Sequence, residues 1–247
     1  MIIINDQNIY ILPPTYVLEM KTIILLKKLE RYALFTQNDL AKITNKSQKY
    51  VRTLLYRLNK KGFIRRIERG KYALYDDVLI FASYIEAPSY LSLWTALRYY
   101  NMTQQQPKSF FVMCPIKRKK IRLRDSDIIF VTTKHMFGYR KERYSDFDIF
   151  MAEPEKVIID SLLFKIPLND IAEALDSAEL DFEKLSGYAK KTKNISLMKR
   201  LGYILENKKG SSYGLKATDN NYIPLDYLGR KGGKKERKWK LIIKAEL

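Results

Sequence analysis

The sequence of 247 residues is long enough for two domains with buried cores, and its 46% of apolar residues excludes a wholly disordered chain. Lys and Arg number 46 against 27 Asp and Glu, so the formal net charge of +19 favours polyanionic partners such as nucleic acid or an anionic membrane surface. The single cysteine, Cys114, excludes an intrachain disulfide. With His135 as the single histidine, the sequence offers few residues for a His/Cys zinc site or a Ser-His-Asp triad.

The first twelve residues are apolar except at positions 5–8, which predicts two short strands around a turn rather than a signal peptide. No apolar run approaches the ~20 residues that a membrane helix needs. The absence of paired cysteines also fits a reducing compartment. We therefore expect a cytoplasmic protein with no membrane partner.

Two helices are predicted next in the chain. Apolar residues recur at helical spacing over residues 15–31, which predicts a first helix. Thr36 is followed three residues later by Asp39, a spacing typical of a capping box, and apolar positions after it predict a short second helix. Residues 44–46 then form a turn.

A third helix is predicted from the capping residue Ser47 to residue 61, and Gly62 ends it with the chemistry of a helix C-terminus. Its apolar residues recur at i, i+3, i+4 and i+7, so they form one narrow stripe that must face the other helices. The members of this stripe are Val51, Leu54, Leu55 and Leu58. The opposite face is polar and basic.

A hairpin follows, with strand-like segments at residues 63–67 and 71–75 and a turn at residues 68–70. The order of helix, short helix, turn, capped helix and basic hairpin is typical of a winged helix-turn-helix. We therefore predict an α+β protein in which residues 1–85 form a winged helix-turn-helix DNA-binding domain.

Basic residues concentrate on the third helix and the hairpin, with ten between Lys46 and Lys71 against one acidic residue, Glu68. Cations there would neutralise phosphates, and side chains in the first half of the helix would reach base edges. For the base edges we predict Gln48, Lys49, Arg52 and Thr53. For the phosphates we predict Tyr56, Arg57, Lys60, Arg69 and Lys71, and the capping Ser47 completes the predicted interface with double-stranded DNA. The alternative is a protein-contact module with a solvated basic face.

Pro88 marks the start of a second domain, residues 86–247, in which strands and helices are mixed. Residues 76–87 are predicted to bridge the domains as a helix or strand, and residues 90–100 to form an amphipathic helix capped by Ser92. Strands are predicted at residues 109–114, 119–124, 127–132, 139–144 and 146–151, of which the last two could pair as a hairpin. Helices are predicted from Pro154 onward and over residues 168–178, 182–192 and 196–207, before a final strand at residues 241–243.

Several segments of the second domain carry a family resemblance. Residues 90–100 (YLSLWTALRYY), 137–139 (FGY) and 152–160 (AEPEKVIID) resemble, in order and spacing, the signature blocks of AbiEi-type antitoxins. These proteins belong to abortive-infection, type IV toxin–antitoxin systems. Residues 222–226 and 238–240 resemble the C-terminal end of that family, so the resemblance covers most of the chain.

The resemblance implies a specific function. Such antitoxins repress their own operon through the winged helix at inverted repeats, and their C-terminal domain counters a toxin that resembles a nucleotidyltransferase. No catalytic residue, metal or cofactor is carried over, and we expect no enzyme activity. A stand-alone winged-helix transcription factor whose second domain dimerises or senses a ligand is the alternative.

One segment also permits the hypothesis that the protein is an enzyme acting on nucleotides. Gly138 precedes Asp146 and Asp148, and two carboxylates on one strand face could hold Mg²⁺ as in nucleotidyltransferases. A third carboxylate is missing and the spacing is short, so we favour a structural interpretation. We interpret His135 as a surface or loop residue and Cys114 as a buried small hydrophobe.

Other charged residues leave their roles open. Acidic residues near the N-terminus of a helix interact favourably with the helix dipole. We interpret the acidic residues around the helix start at Pro154 in this way, namely Glu153, Glu155 and Asp160. The basic runs at residues 117–120 and 230–240 could each contact DNA, dock an acidic partner or form a solvated face.

Overall fold

The computed structural model describes residues 2–5, 8–11, 14–227 and 233–244, with side chains from residue 20 onward in those ranges. The chain divides into two compact units, Met1–Ile85 (unit 1) and Glu86–Leu247 (unit 2). Helices and sheets occur together in both units, which confirms the predicted α+β class. Within the described ranges, no helix combines the length and apolar character needed to cross a membrane.

Unit 1 opens with an antiparallel strand pair, as predicted, although the turn expected between the strands lies outside the described residues. A helical segment and a small three-stranded sheet follow, in the strand order β3-β5-β4. The elements are β1 Ile2–Asn5, β2 Asn8–Ile11, α1 Pro14–Leu29, β3 Phe35–Thr36, α2 Gln37–Thr44, α3 Gln48–Lys60, β4 Arg65–Glu68, β5 Lys71–Ala73, α4 Val78–Phe81 and a 3-10 turn at Ala82–Tyr84.

The core of unit 1 lies between its three longest helices and the small sheet. The predicted apolar stripe of α3 faces this core, because three of its four residues are buried and Leu54 is partly buried against them. The ring of Phe35 stacks on that of Tyr72, which ties β3 to β5. The buried residues of this core are Leu29, Phe35, Leu40, Val51, Leu55, Leu58 and Ile64.

Local hydrogen bonds fix the ends of α2 and α3. The predicted capping box is present, since the Thr36 hydroxyl accepts from the Asp39 amide and the Asp39 carboxylate accepts from the Thr36 amide at 2.8 Å. Ser47 caps α3 by accepting from the Tyr50 amide. Gly62 follows the last turn with φ +75°, a left-handed conformation that glycine adopts without steric cost.

The hairpin of unit 1 is shorter than the sequence predicts. Its first strand begins at Arg65 instead of residue 63, and Arg69 and Gly70 alone connect the strands. The register shifts between Arg66 and Glu68, which is a bulge, and Gly70 has φ +81°.

Unit 2 is built on a mixed six-stranded sheet with the strand order β10-β11-β6-β7-β9-β8, and a second small sheet has the order β12-β14-β13. Its helices lie mainly in the second half of the unit. The elements are β6 Tyr90–Leu91, α5 Leu93–Tyr99, β7 Ser109–Cys114, β8 Ile121–Arg122, β9 Asp127–Thr132, β10 Tyr139–Tyr144, β11 Phe147–Ala152, α6 Pro154–Leu163, α7 Leu168–Ser177, α8 Phe182–Thr192, α9 Ile195–Lys209, β12 Ile223–Pro224, β13 Lys234–Glu236 and β14 Leu241–Ile243.

The predicted helix over residues 90–100 is wrong in its first part. Tyr90 and Leu91 form β6, a short strand that pairs with β11 on one side and β7 on the other. A strand in the interior of a sheet has both faces buried, so its apolar run does not alternate and resembles a helix start in sequence. Ser92 precedes α5 but its side chain makes no capping bond.

A fully buried polar cluster joins the three segments that carry the family resemblance. The Ser92 and Tyr90 hydroxyls donate to Oδ2 of Asp160, at 2.8 Å and 3.2 Å. The Lys156 ammonium pairs with Oδ1 of Asp160 and donates to the Tyr90 hydroxyl at 2.9 Å. The Tyr90 ring stacks on Tyr139 with centroids 4.6 Å apart. We name Tyr90, Ser92, Lys156 and Asp160 the buried polar cluster.

This cluster corrects the interpretation of Asp160 as a residue that stabilises the helix dipole. Asp160 lies in the second half of α6, far from the helix start, and has no exposed surface. Burial raises the pKa of its carboxyl and lowers the pKa of the Lys156 ammonium, while their mutual attraction opposes both shifts. The two hydroxyl donors on Asp160 also favour its ionised form.

The segment before β14 is anchored to α9 by Trp239. Its indole is 2% exposed, and Nε1 donates to the Glu206 carboxylate at 2.6 Å. The ring lies directly against Gly202, where an added Cβ would overlap it. The predicted final strand at residues 241–243 is present as the middle strand of its small sheet.

Candidate nucleic-acid interface

The solvent-facing side of α3 carries most of the predicted interface. The helix exposes every residue that does not belong to its apolar stripe, and Tyr56 is 65% exposed. The exposed residues predicted to contact DNA are Ser47, Gln48, Lys49, Arg52, Thr53, Tyr56, Arg57 and Lys60. The helix α3 and its cap Ser47 therefore bring eight of the ten predicted residues onto one exposed surface, which we name the α3 face.

The cations of the α3 face have no carboxylate partner among the residues that the structure describes. Lys49, Arg52, Arg57 and Lys60 form no ion pair with any residue of the described ranges. An exposed cation without a carboxylate partner is available to pair with an external anion such as a phosphate. This face therefore presents a positive, hydrogen-bonding surface.

The two predicted hairpin residues differ from each other. Arg69 is exposed in the connection between β4 and β5. The Lys71 ammonium pairs with Glu68 at 3.0 Å and also contacts the Ile85 carbonyl, so it is held inside unit 1. The Lys71 ammonium therefore already has a carboxylate and a carbonyl partner within unit 1.

Sequence reasoning missed several residues next to this surface. Tyr50 is 53% exposed in the first turn of α3, and its place outside the apolar stripe was a usable signal. Gln37 and Asn38 in α2 hydrogen-bond to the Gln48 amide, a contact that no local pattern predicts. The Arg66 guanidinium is exposed on β4 and donates to the Glu68 carbonyl at 3.4 Å.

The basic runs of unit 2 are partly used by the fold. Arg118 pairs with Glu86 at 2.6 Å and lies over the Phe130 ring, and Lys120 pairs with Asp127 at 3.2 Å. In the second run, residues 230–232 lie outside the described ranges. Its Lys238 pairs with Glu206, and Lys235 and Lys240 lie over the Tyr222 ring. These contacts favour a structural role for much of both runs.

Asp146 and Asp148, the two carboxylates of the nucleotidyltransferase hypothesis, lie close to an arginine of the same unit. Asp146 lies in the turn between β10 and β11, not on a strand, which corrects the prediction of two carboxylates on one strand face. The Arg143 guanidinium lies 4.0 Å from Oδ1 of Asp146 and 3.5 Å from Oδ1 of Asp148. Among the described residues, no group of three His, Cys, Asp or Glu side chains is placed to hold a metal ion.

His135 is a half-buried loop residue, in agreement with its interpretation from sequence. Burial, together with Lys156 and Lys134, lowers the pKa of its imidazole, which favours the neutral ring. Cys114 is buried at the end of β7, as predicted.

No model of a protein family matches the chain, and the curated proteins contain no match to it.

Proposed function

We propose that unit 1 is a winged helix-turn-helix that binds double-stranded DNA, with α3 as the helix that enters the major groove. The order of elements supports this assignment, since a short capped helix, a turn, a capped amphipathic helix and a hairpin follow one another in the chain. The hairpin β4–β5, with Arg69 at its tip, is the wing.

One observation carries the proposal, namely the set of exposed cations on the α3 face that form no ion pair within the described part of the chain. Lys49 and Arg52 lie in the first half of α3, where groove helices reach base edges, and Lys60 lies near its end. These cations release counterions from phosphates when they bind, which provides the affinity. The hydroxyl and amide groups between them provide hydrogen-bonding partners for bases.

We further propose that the protein represses its own operon at an inverted repeat and acts as the antitoxin of a nucleotidyltransferase-like toxin. This part rests on the family resemblance. The resembling segments at residues 90–100, 137–139 and 152–160 contact one another at the buried polar cluster. Co-expression with a neighbouring nucleotidyltransferase-like gene is the test, and rescue of growth is the expected result.

Footprinting on the DNA upstream of the protein's own gene tests DNA binding. We expect the wild-type protein to protect an inverted repeat and the double substitution Lys49→Ala/Arg52→Ala to lower affinity by about 10- to 100-fold. Removing two cations from the interface would also lower the slope of log affinity against log salt by about 1 to 2.

The matched control is Lys108→Ala/Lys216→Ala, which removes the same charge from exposed positions of unit 2 outside both basic runs. We expect it to leave protection and affinity near wild type. An equal loss in both double variants, without a protected site, would show that only net charge acts and would contradict the proposal.

A further inference from the structure

A network of three amide side chains lies at the surface where α2 meets the start of α3. Gln37 Nε2 donates to Gln48 Oε1 at 2.7 Å and to the Gln48 carbonyl oxygen at 3.1 Å. Gln48 Nε2 donates to Asn38 Oδ1 at 2.9 Å. Gln48 is the first residue of α3 and its side chain is exposed. Gln48 is therefore an exposed glutamine whose side chain has two hydrogen-bonding neighbours.

The network fixes which side of the Gln48 amide donates and which accepts. A free amide can rotate its terminal bond and exchange the positions of its oxygen and nitrogen. Gln37 presents its Nε2 because this nitrogen also donates to the Gln48 backbone carbonyl, so it supplies a donor that only Oε1 of Gln48 can receive. Nε2 of Gln48 then donates to Oδ1 of Asn38. The amide is therefore oriented before any ligand arrives, which reduces the entropy lost on binding.

The hydrogen-bonding capacity that remains on Gln48 matches one base. An amide oxygen accepts two hydrogen bonds and an amide nitrogen donates two, so one of each remains after the contacts with Gln37 and Asn38. Adenine presents the N7 acceptor and the N6 donor side by side in the major groove. Guanine presents two acceptors there, and one of them would face the amide oxygen.

We propose that Gln48 reads the adenine of an A·T pair through a bidentate contact, and that Gln37 and Asn38 are positioning residues for it. This inference rests on the proposed function, because it needs α3 in the major groove. It assigns base specificity to the start of α3, whereas the cations of the α3 face supply affinity. Gln37 and Asn38 act only through Gln48.

The experiment is selection of binding sites from a random duplex library by full-length protein, followed by affinity measurements on the selected site. We expect the selected DNA site to contain one position at which the wild-type protein prefers adenine and Gln48→Ala shows no base preference. At the other positions of the site, the two proteins should have the same base preferences. Replacing that A·T pair should weaken wild type about 5- to 150-fold and leave Gln48→Ala unaffected. Gln37→Ala and Asn38→Ala should lower this discrimination in part.

Two further measurements separate a base contact from a structural effect. Placing 7-deazaadenine at that position removes the N7 acceptor while the protein stays wild type, and we expect it to lower wild-type affinity but not that of Gln48→Ala. Gln104→Ala, an exposed amide of unit 2, is the matched control and should select the wild-type site.

The outcomes distinguish this inference from the proposed function. If Gln48→Ala selects a site with the same base preferences as the wild-type protein at every position, the contact between Gln48 and adenine is wrong. DNA recognition by unit 1 would still stand. No selected site for wild type overturns sequence-specific recognition itself, and with it the role of Gln48.

Discussion

Asp160→Ala is expected to lower the free energy of unfolding of unit 2 by about 3–5 kcal/mol, because it leaves a fully buried ammonium without its counter-ion. Lys156 has no exposed surface through which water could replace the lost carboxylate. The Ser92 and Tyr90 hydroxyls also lose their acceptor. Urea unfolding followed by tryptophan fluorescence measures the effect, since both tryptophans, Trp94 and Trp239, belong to unit 2.

Two variants control this prediction. Asp176→Ala removes an exposed carboxylate that pairs with Lys208, and we expect a loss of about 0–1 kcal/mol. Lys156→Met/Asp160→Leu removes both buried charges, and it should recover much of the stability that the single variant loses. A loss below about 1 kcal/mol for Asp160→Ala would contradict the assignment of a paired, buried charge.

Gly202→Ala is expected to destabilise unit 2 by about 2–3 kcal/mol through a clash with the Trp239 ring. A Cβ at Gly202 would lie 2.8 Å from Cζ2 of Trp239 and still closer to Cζ3 and Cη2. The indole cannot move freely, because it is buried and its Nε1 is bonded to Glu206. The same urea titration measures the change, and the fluorescence maximum should report a more exposed indole.

Gly187→Ala is the matched control, since this glycine also lies within a helix but has open space around its Cα. Alanine favours the helical backbone, so we expect a gain of about 0.5–1 kcal/mol. If both substitutions stabilised the protein, the close approach of Trp239 to α9 would be wrong.

The sequence predicts those parts of the fold that local chemistry determines. The capping box at Thr36, the cap at Ser47 and the end of α3 at Gly62 each depend on residues within a few positions of one another. The apolar stripe of α3 is likewise a property of spacing along one helix. For this reason the exposed surface of α3 could be predicted with its residues.

The parts that were missed depend on contacts between distant segments. The strand β6 is determined by pairing with β7 and β11, which lie on either side of it in the sheet. The role of Asp160 depends on Tyr90, 70 positions away, and that of Lys71 on the Ile85 carbonyl. The amide network needs α2 and α3 side by side before Gln37 can reach Gln48.

The anchoring of Trp239 has a consequence for synthesis on the ribosome. The core of unit 1 uses residues from Leu29 to Ile64, so it can form while the rest of the chain is still being translated. Unit 2 completes its packing only when residues 239–243 emerge, because β14 is the middle strand of its small sheet and Trp239 covers α9. Until then the surface of α9 at Gly202 lacks its cover, and a nascent chain stalled before residue 239 would carry a folded unit 1 and a unit 2 whose packing is incomplete.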